Sequence, residues 1–178
     1  MDETTSSRGI YEAGVSEFDK KGVIFGNIMI IAWLILGIYA VYLFLPAAGA
    51  VYGLFVVLMF TVVMRKGLCT KCWYYGKRCA MGWGLYTAKI FKKGDESKFE
   101  GCAASKFAPF LWMTVSLLPI VLILLSAYLE FSVLKIILAA ILVLFLIISG
   151  NKNTRQKSCE MCKMRYLCAG SAAKKKDD

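Results

Sequence analysis

The chain has 178 residues, 58% of them hydrophobic, and a mean hydropathy of +0.60. These values exclude an intrinsically disordered protein and an ordinary soluble domain. The formal net charge of +10 at pH 7 is accompanied by seven cysteines and no histidine, so thiols are the main candidates for chemistry.

The apolar residues fall into four blocks, each close to the ~20 residues that a helix needs to cross a bilayer. Pro46 separates the first two blocks, and Glu130 interrupts the long run that contains the last two. The sequence therefore predicts an all-α integral membrane protein with four transmembrane helices in two hairpins. Its five segments are an N-terminal tail (1–22), a first hairpin (23–64), a loop (65–107), a second hairpin (108–149) and a C-terminal segment (150–178).

The basic residues predict the orientation. Three of the 22 Lys and Arg residues precede the first block, ten lie in 65–106 and eight lie in 152–176, while the turn within each predicted hairpin has none. By the positive-inside rule, both termini and the long loop are expected in the cytoplasm, in a multi-pass protein of the cell membrane. The five acidic residues of the tail argue against a cleaved signal peptide.

Six cysteines form two triplets, each placed directly after a predicted hairpin. The triplets are Cys69, Cys72 and Cys79, and Cys159, Cys162 and Cys168. Each has C-x2-C, then five or six residues, then C-A with a glycine close behind. The chain therefore contains an internal repeat, in which each unit is a predicted hairpin followed by a cysteine triplet. Disulfides are rare in the cytoplasm, and two residues between thiolates allow both sulfurs to bind one ion. The triplets therefore predict a metal site.

Zinc is the favoured metal. A single tetrahedral site would use Cys69, Cys72, Cys159 and Cys162, but would leave the equally matched Cys79 and Cys168 without a role. Six ligands suit two ions better, and the spacing resembles that of the fungal Zn2Cys6 binuclear clusters. That resemblance implies bridging thiolates at the first cysteine of each triplet. This chain departs from it by the predicted hairpin between the triplets and by a last spacing that is one residue shorter.

An iron–sulfur cluster is the main alternative cofactor. Each triplet supplies three thiols for a [4Fe–4S] cube, with Cys102 or an external ligand as the fourth, although the bacterial ferredoxin spacing is absent. Outside the triplets, Cys102 is more typical of a small buried apolar residue. Since the chain has no histidine, bis-histidine haem is excluded and the common catalytic zinc sites are disfavoured.

Residues 83–93 alternate aromatic and aliphatic side chains with lysines. This pattern predicts either a short interfacial helix, whose lysines meet anionic lipid headgroups, or an apolar cover for the metal site. The scattered basic residues are explained by topology and lipid attraction, so no nucleic-acid partner is expected.

The favoured function is a non-enzymatic scaffold or accessory subunit of a membrane complex, with no predicted catalytic residue. Alternatives are an iron–sulfur electron-transfer subunit and a membrane thiol–disulfide oxidoreductase. Four-helix proteins with C-x-x-C pairs resemble the quinone-linked disulfide-forming enzymes, which work outside the cytoplasm. A metal-ion carrier ranks last, because the predicted spans contain no thiols or mid-membrane acids that could relay ions.

Overall fold

The computed structural model describes residues 9–173, except the side chain of Thr154. This part of the chain is helical and contains no β-strand. Its helices are α1 (Lys20–Phe44), α2 (Pro46–Leu58), α3 (Met64–Gly67), α4 (Trp83–Ile90), α5 (Ala103–Leu129), α6 (Val133–Gly150) and α7 (Lys152–Glu160). A π-helical turn over Met59–Val63 joins α2 to α3, so these two helices form one continuous rod.

Four helices are long and apolar enough to cross a membrane, as the sequence predicted. They are Lys20–Phe44, Pro46–Lys71, Ala103–Leu129 and Val133–Glu160. Their outer faces expose large apolar side chains, among them Phe25 (66% exposed) and Val51 (70% exposed). Such surfaces are unfavourable in water, so these helices indicate a lipid bilayer environment.

In the helix bundle formed by α1, α2, α5 and α6, helix α1 packs against the other three, and α5 is the most buried of the four candidate spans. The buried core draws on each helix, with Val41 and Val56 packed among Val115, Ile123 and Leu142.

Gly49 allows a close approach between α1 and α2. A Cβ at this position would lie 2.6 Å from the Tyr42 Cα, and a Cβ at Gly53 would contact Ile38 at 3.5 Å. The G-x-x-x-G spacing at the start of α2 therefore brings its backbone against α1, as small residues do in membrane helices.

Pro119 lies inside α5 without ending the helix. Because proline has no N–H, it cannot donate to the Val115 carbonyl four residues earlier. The Tyr52 hydroxyl of α2 donates to that carbonyl at 2.8 Å instead. Pro119 itself packs near Gly37 of α1, so this position connects three helices.

The connection between α5 and α6 contains the only ion pair in the described part of the bundle. The Lys135 ammonium lies 3.4 Å from the Glu130 carboxylate and also donates to the Ser126 carbonyl at 3.3 Å. The Ser126 hydroxyl donates to the Leu43 carbonyl at 3.4 Å, which links this end of α5 to the end of α1.

Candidate functional site: a cluster of thiols

Two short loops carry the cysteine triplets, and their backbones have the same hydrogen-bond pattern. In the first thiol loop, residues 69–82, the N–H to carbonyl bonds are Cys72 to Cys69, Tyr75 to Cys72, Lys77 to Tyr74 and Gly82 to Cys79. In the second thiol loop, residues 159–171, they are Cys162 to Cys159, Arg165 to Cys162, Leu167 to Met164 and Ser171 to Cys168. The internal repeat is therefore present in local structure as well as in sequence.

An arginine four residues before the first cysteine of each triplet reaches the far end of its own loop. Arg155 donates to the Gly170 carbonyl, just after the second triplet. The Arg65 guanidinium lies 5.7 Å from the Trp83 ring centroid, just after the first triplet, and 5.6 Å from that of Tyr86. Each arginine thus closes its loop by a different kind of contact.

The Cys72 thiol is the most strongly perturbed group of the first loop. Burial raises its pKa, while a hydrogen bond from the Tyr74 N–H opposes this shift. The thiols of Cys79, Cys69 and Cys162 also lie close enough to raise the pKa of Cys72. One of these three belongs to the second loop, so the triplets come together in space although 90 residues separate them in the chain.

Cys162 has the corresponding environment in the second loop. Burial raises its pKa to about 11. The Met164 N–H donates to its sulfur and opposes this shift, as the Tyr74 N–H does at the equivalent position of the first loop. The nearby thiols of Cys168, Cys159 and Cys79 raise the pKa of Cys162 further. The six cysteines therefore form one connected set, hereafter the thiol cluster, in which Cys162 links the two loops.

A small apolar core lies beside the thiol cluster and shields part of it from water. Phe18, Tyr74, Phe99 and Met164 are all buried, with 9% or less of each residue exposed. Four of the cysteines pack against them: Cys72, Cys79, Cys162 and Cys168. Burial among these side chains explains why the thiols of Cys72 and Cys162 ionise with difficulty.

The segment before α1 connects the two loops. The N–H groups of Tyr11 and Val15 donate to the carbonyls of Lys163 and Met161, at 2.8 and 2.9 Å, and that of Phe18 donates to the Arg78 carbonyl at 2.9 Å. A Cβ at Gly14 would lie 2.7 Å from the Lys163 nitrogen.

Tyr74 is at the centre of this junction. Burial, together with three neighbouring thiols, raises its pKa to about 12, so its hydroxyl stays protonated. The hydroxyl donates to the Val15 carbonyl at 2.7 Å and accepts from the Lys163 N–H at 3.2 Å. One side chain of the first loop thus contacts both the N-terminal segment and the second loop.

Cationic side chains cover aromatic rings on the outer surface of the site. The ammonium groups of Lys77 and Lys163, one from each loop, lie 3.6 and 4.7 Å from the Trp73 ring centroid. These contacts join the two loops at the surface, because the two lysines come from different loops and share one ring.

Helix α4 lies against one side of the first loop. Gly84 lies so close to this loop that a Cβ would be 2.0 Å from the Tyr74 carbonyl oxygen. The Thr87 hydroxyl donates to the Trp83 carbonyl at 2.8 Å and lies near Cys69. The opposite face of α4 exposes Tyr86 (58%) and Ile90 (64%), so the helix also has the apolar surface expected of an interfacial helix.

Among residues 9–173, no three Cys, Asp or Glu side chains are already arranged as a metal-coordination site. The donor set suits a thiophilic ion, since both loops present backbone N–H groups to sulfur and the cluster lies in a partly dry environment.

Cys102 is outside this set. It is half-buried just before α5, its Sγ is 3.8 Å from the Gly67 carbonyl, and it is not among the thiols that act on Cys72 or Cys162. This placement agrees with its interpretation as a small apolar residue rather than a ligand.

Sequence reasoning missed the N-terminal segment and Thr87 as parts of the site. The acidic tail carries no metal-ligand motif, and its backbone hydrogen bonds and its Glu17–Arg78 ion pair are made with residues about 60 to 150 positions away in the chain. The only available signals were Phe18, a large apolar residue in a polar segment, and Gly14, where the backbone approaches the second loop.

No known protein family, no curated protein and no solved structure matches this chain. The function proposed below therefore depends on the residues and geometry of the chain itself.

Proposed function

We propose that this chain is a multi-pass membrane protein whose thiol cluster binds metal, with two zinc ions as the expected content, and thereby holds the two halves of the chain together. It would act as a scaffold or accessory subunit of a membrane complex rather than as an enzyme. The main observation in its support is that Cys72 and Cys79 of the first loop lie near Cys162 of the second, and that the two loops have the same hydrogen-bond pattern.

Metal binding explains features of the cluster that are otherwise unfavourable. Six neighbouring thiols repel one another when ionised, and burial adds to the cost for Cys72 and Cys162. A divalent cation removes both costs, because coordinated thiols are deprotonated and their charges are neutralised. The N–H groups of Tyr74 and Met164 would then stabilise the two thiolates that they already face.

The same features disfavour a thiol–disulfide oxidoreductase. Reactive C-x-x-C cysteines have lowered pKa values, which supply the attacking thiolate near neutral pH. Here burial raises the pKa of Cys162 to about 11 and also raises that of Cys72.

The membrane arrangement that we propose consists of two hairpins with the thiol cluster at their cytoplasmic end. Contacts between Tyr42 and Gly49 and between Ile38 and Gly53 support the first hairpin, because residue numbers rise in α2 as they fall in α1. The short connection after Leu129 supports the second. The basic residues lie in the N-terminal tail, the long loop and the C-terminal segment, and by the positive-inside rule they support a cytoplasmic location for all three.

The test is the metal content of tag-free protein purified without oxygen. We expect about two zinc ions per chain. Serine at Cys72 or Cys162 should lower the zinc content, whereas Cys102→Ser, the matched control, should leave it unchanged. Less than one equivalent of zinc or iron per wild-type chain would refute metal binding. Iron with sulfide and absorption near 400 nm would instead establish the electron-transfer alternative.

A further inference from the structure

An open cleft lies beside the thiol cluster, between the end of the second candidate span and the start of the third. It has a volume of about 760 Å³. One wall carries Val63 at the end of the π-helical turn, Gly67 at the end of α3, and Lys71 in the 3₁₀ turn that follows. The lining is almost entirely apolar, apart from lysine side chains.

The second wall is the first part of α5. Its side chains at the cleft include Lys106, Phe107 and Phe110, which lie on one face of the helix. Phe107 and Phe110 are 42% and 57% exposed. The two walls meet at Gly67 and Ala104, where a Cβ on the glycine would lie 2.5 Å from that of the alanine.

The cleft has a polar end and an apolar end. Lys71 and Lys106 lie toward the ends of their spans, whereas Val63 and Phe110 lie further into them. Neither lysine forms an ion pair with any of residues 9–173. Two cations with no anionic partner therefore lie above an apolar slot that opens toward the bilayer.

We propose that this cleft is a binding site for one anionic phospholipid. The phosphate would lie between the ammonium groups of Lys71 and Lys106, and one acyl chain would occupy the slot beside Val63, Phe107 and Phe110. Charge complementarity selects an anionic headgroup, and the alignment of charge and apolar surface along the spans selects a lipid over a soluble anion. A protein segment would need acidic residues at one end of an apolar stretch that itself lies within the bilayer.

The proposal can be tested by native mass spectrometry of the detergent-solubilised full chain. Equal amounts of phosphatidylglycerol and phosphatidylcholine are added, and the lipid retained after detergent removal in the gas phase is counted. We expect one retained phosphatidylglycerol and little phosphatidylcholine. The double variant Lys71→Ala with Lys106→Ala should weaken phosphatidylglycerol retention roughly tenfold to thirtyfold, from about 1 kcal/mol per lysine.

The matched control is Lys152→Ala with Lys157→Ala, which removes two exposed lysines of α7 that do not line the cleft. It should retain phosphatidylglycerol as the wild type does. Equal losses in both double variants would show a general charge effect and overturn the site.

A second variant tests the apolar half of the cleft with both lysines intact. Ala103 lines the cleft and is exposed, so Ala103→Leu should fill the slot without disturbing the core and should lower lipid retention. Ala140→Leu, at an exposed position on α6, is its control. Unchanged retention in Ala103→Leu would overturn the acyl-chain assignment. Full displacement of the lipid by soluble glycerol phosphate would show an anion site instead of a lipid site.

Discussion

The helix bundle and the thiol cluster are stabilised by opposite means. The bundle depends on apolar packing of Val41, Val56 and Ile123, with few polar links between its helices. The cluster depends on backbone hydrogen bonds between distant segments, a four-residue apolar core and cation–π contacts. The bilayer stabilises the bundle whether or not the thiol cluster is folded, whereas the four-residue core beside the cluster gives little independent stability. The cluster therefore needs a further source of stability, and metal can supply it.

Removal of metal should have the largest effect and should be confined to the cluster. Structural zinc contributes on the order of 10 kcal/mol to folding of small sites at neutral pH. A strong chelator should therefore release the hydrogen bonds of both thiol loops and of the N-terminal segment, while α1, α2, α5 and α6 stay folded in detergent.

Hydrogen–deuterium exchange measures this difference directly. Protection of the Cys72, Cys162 and Val15 amides should fall by several orders of magnitude with chelator, and should recover when zinc is restored. Protection in the middle of α5 should not change. Uniform loss of protection across bundle and cluster would show that the two regions are not separable.

The division between bundle and cluster also marks how far the sequence predicts the molecule. The apolar blocks predicted four spans because helix length in a bilayer follows from composition, and the cysteine repeat predicted two related loops. The link between the loops could not be predicted, because it depends on backbone groups of Tyr11, Val15 and Lys163, which any sequence possesses. Pro119 indicated a missing donor within a span, but the residue that replaces it, Tyr52, has no sequence signature.

The second prediction concerns the dependence of zinc affinity on pH. Burial raises the pKa of Cys162 from 9.0 to about 11, so without metal its thiol is protonated near neutral pH. Metal binding requires thiolates, so zinc affinity should fall as the pH falls, by up to about tenfold per pH unit for each proton displaced.

Competition with a colorimetric chelator between pH 6.5 and 8.5 measures how the zinc affinity changes with pH. A steep increase in zinc affinity with pH is expected for the wild type and for Cys102→Ser. Affinity independent of pH would contradict thiolate coordination.

The third prediction tests the close packing between α4 and the first thiol loop. Gly84→Ala would place a Cβ 2.0 Å from the Tyr74 carbonyl and 2.5 Å from that of Lys77. Both are backbone atoms that cannot move aside, so we expect a loss of about 3 kcal/mol in cluster stability and weaker zinc binding. Gly26→Ala in α1 is the matched control, because a Cβ there meets nothing within 4 Å. Normal zinc retention in Gly84→Ala would show that α4 is not part of the site.

The last prediction should have the smallest effect and concerns the bundle alone. Tyr52→Phe removes the donor to the Val115 carbonyl, which Pro119 leaves without a partner in its own helix. The expected loss of bundle stability is about 1 to 2 kcal/mol, with zinc content unchanged. Tyr42→Phe is the control, because Tyr42 is 50% exposed and its hydroxyl makes no hydrogen bond to the described residues.

Pro119→Ala supplies an independent check of this explanation. Alanine restores the N–H that bonds the Val115 carbonyl, so Tyr52→Phe should cost less in the Pro119→Ala background than in the wild type. Thermal melting of the four variants in detergent, followed by circular dichroism, gives the coupling energy. An equal cost in both backgrounds would show that the Tyr52 hydroxyl does not compensate for the proline. The bundle would then be stabilised at this point by packing against Gly37 alone.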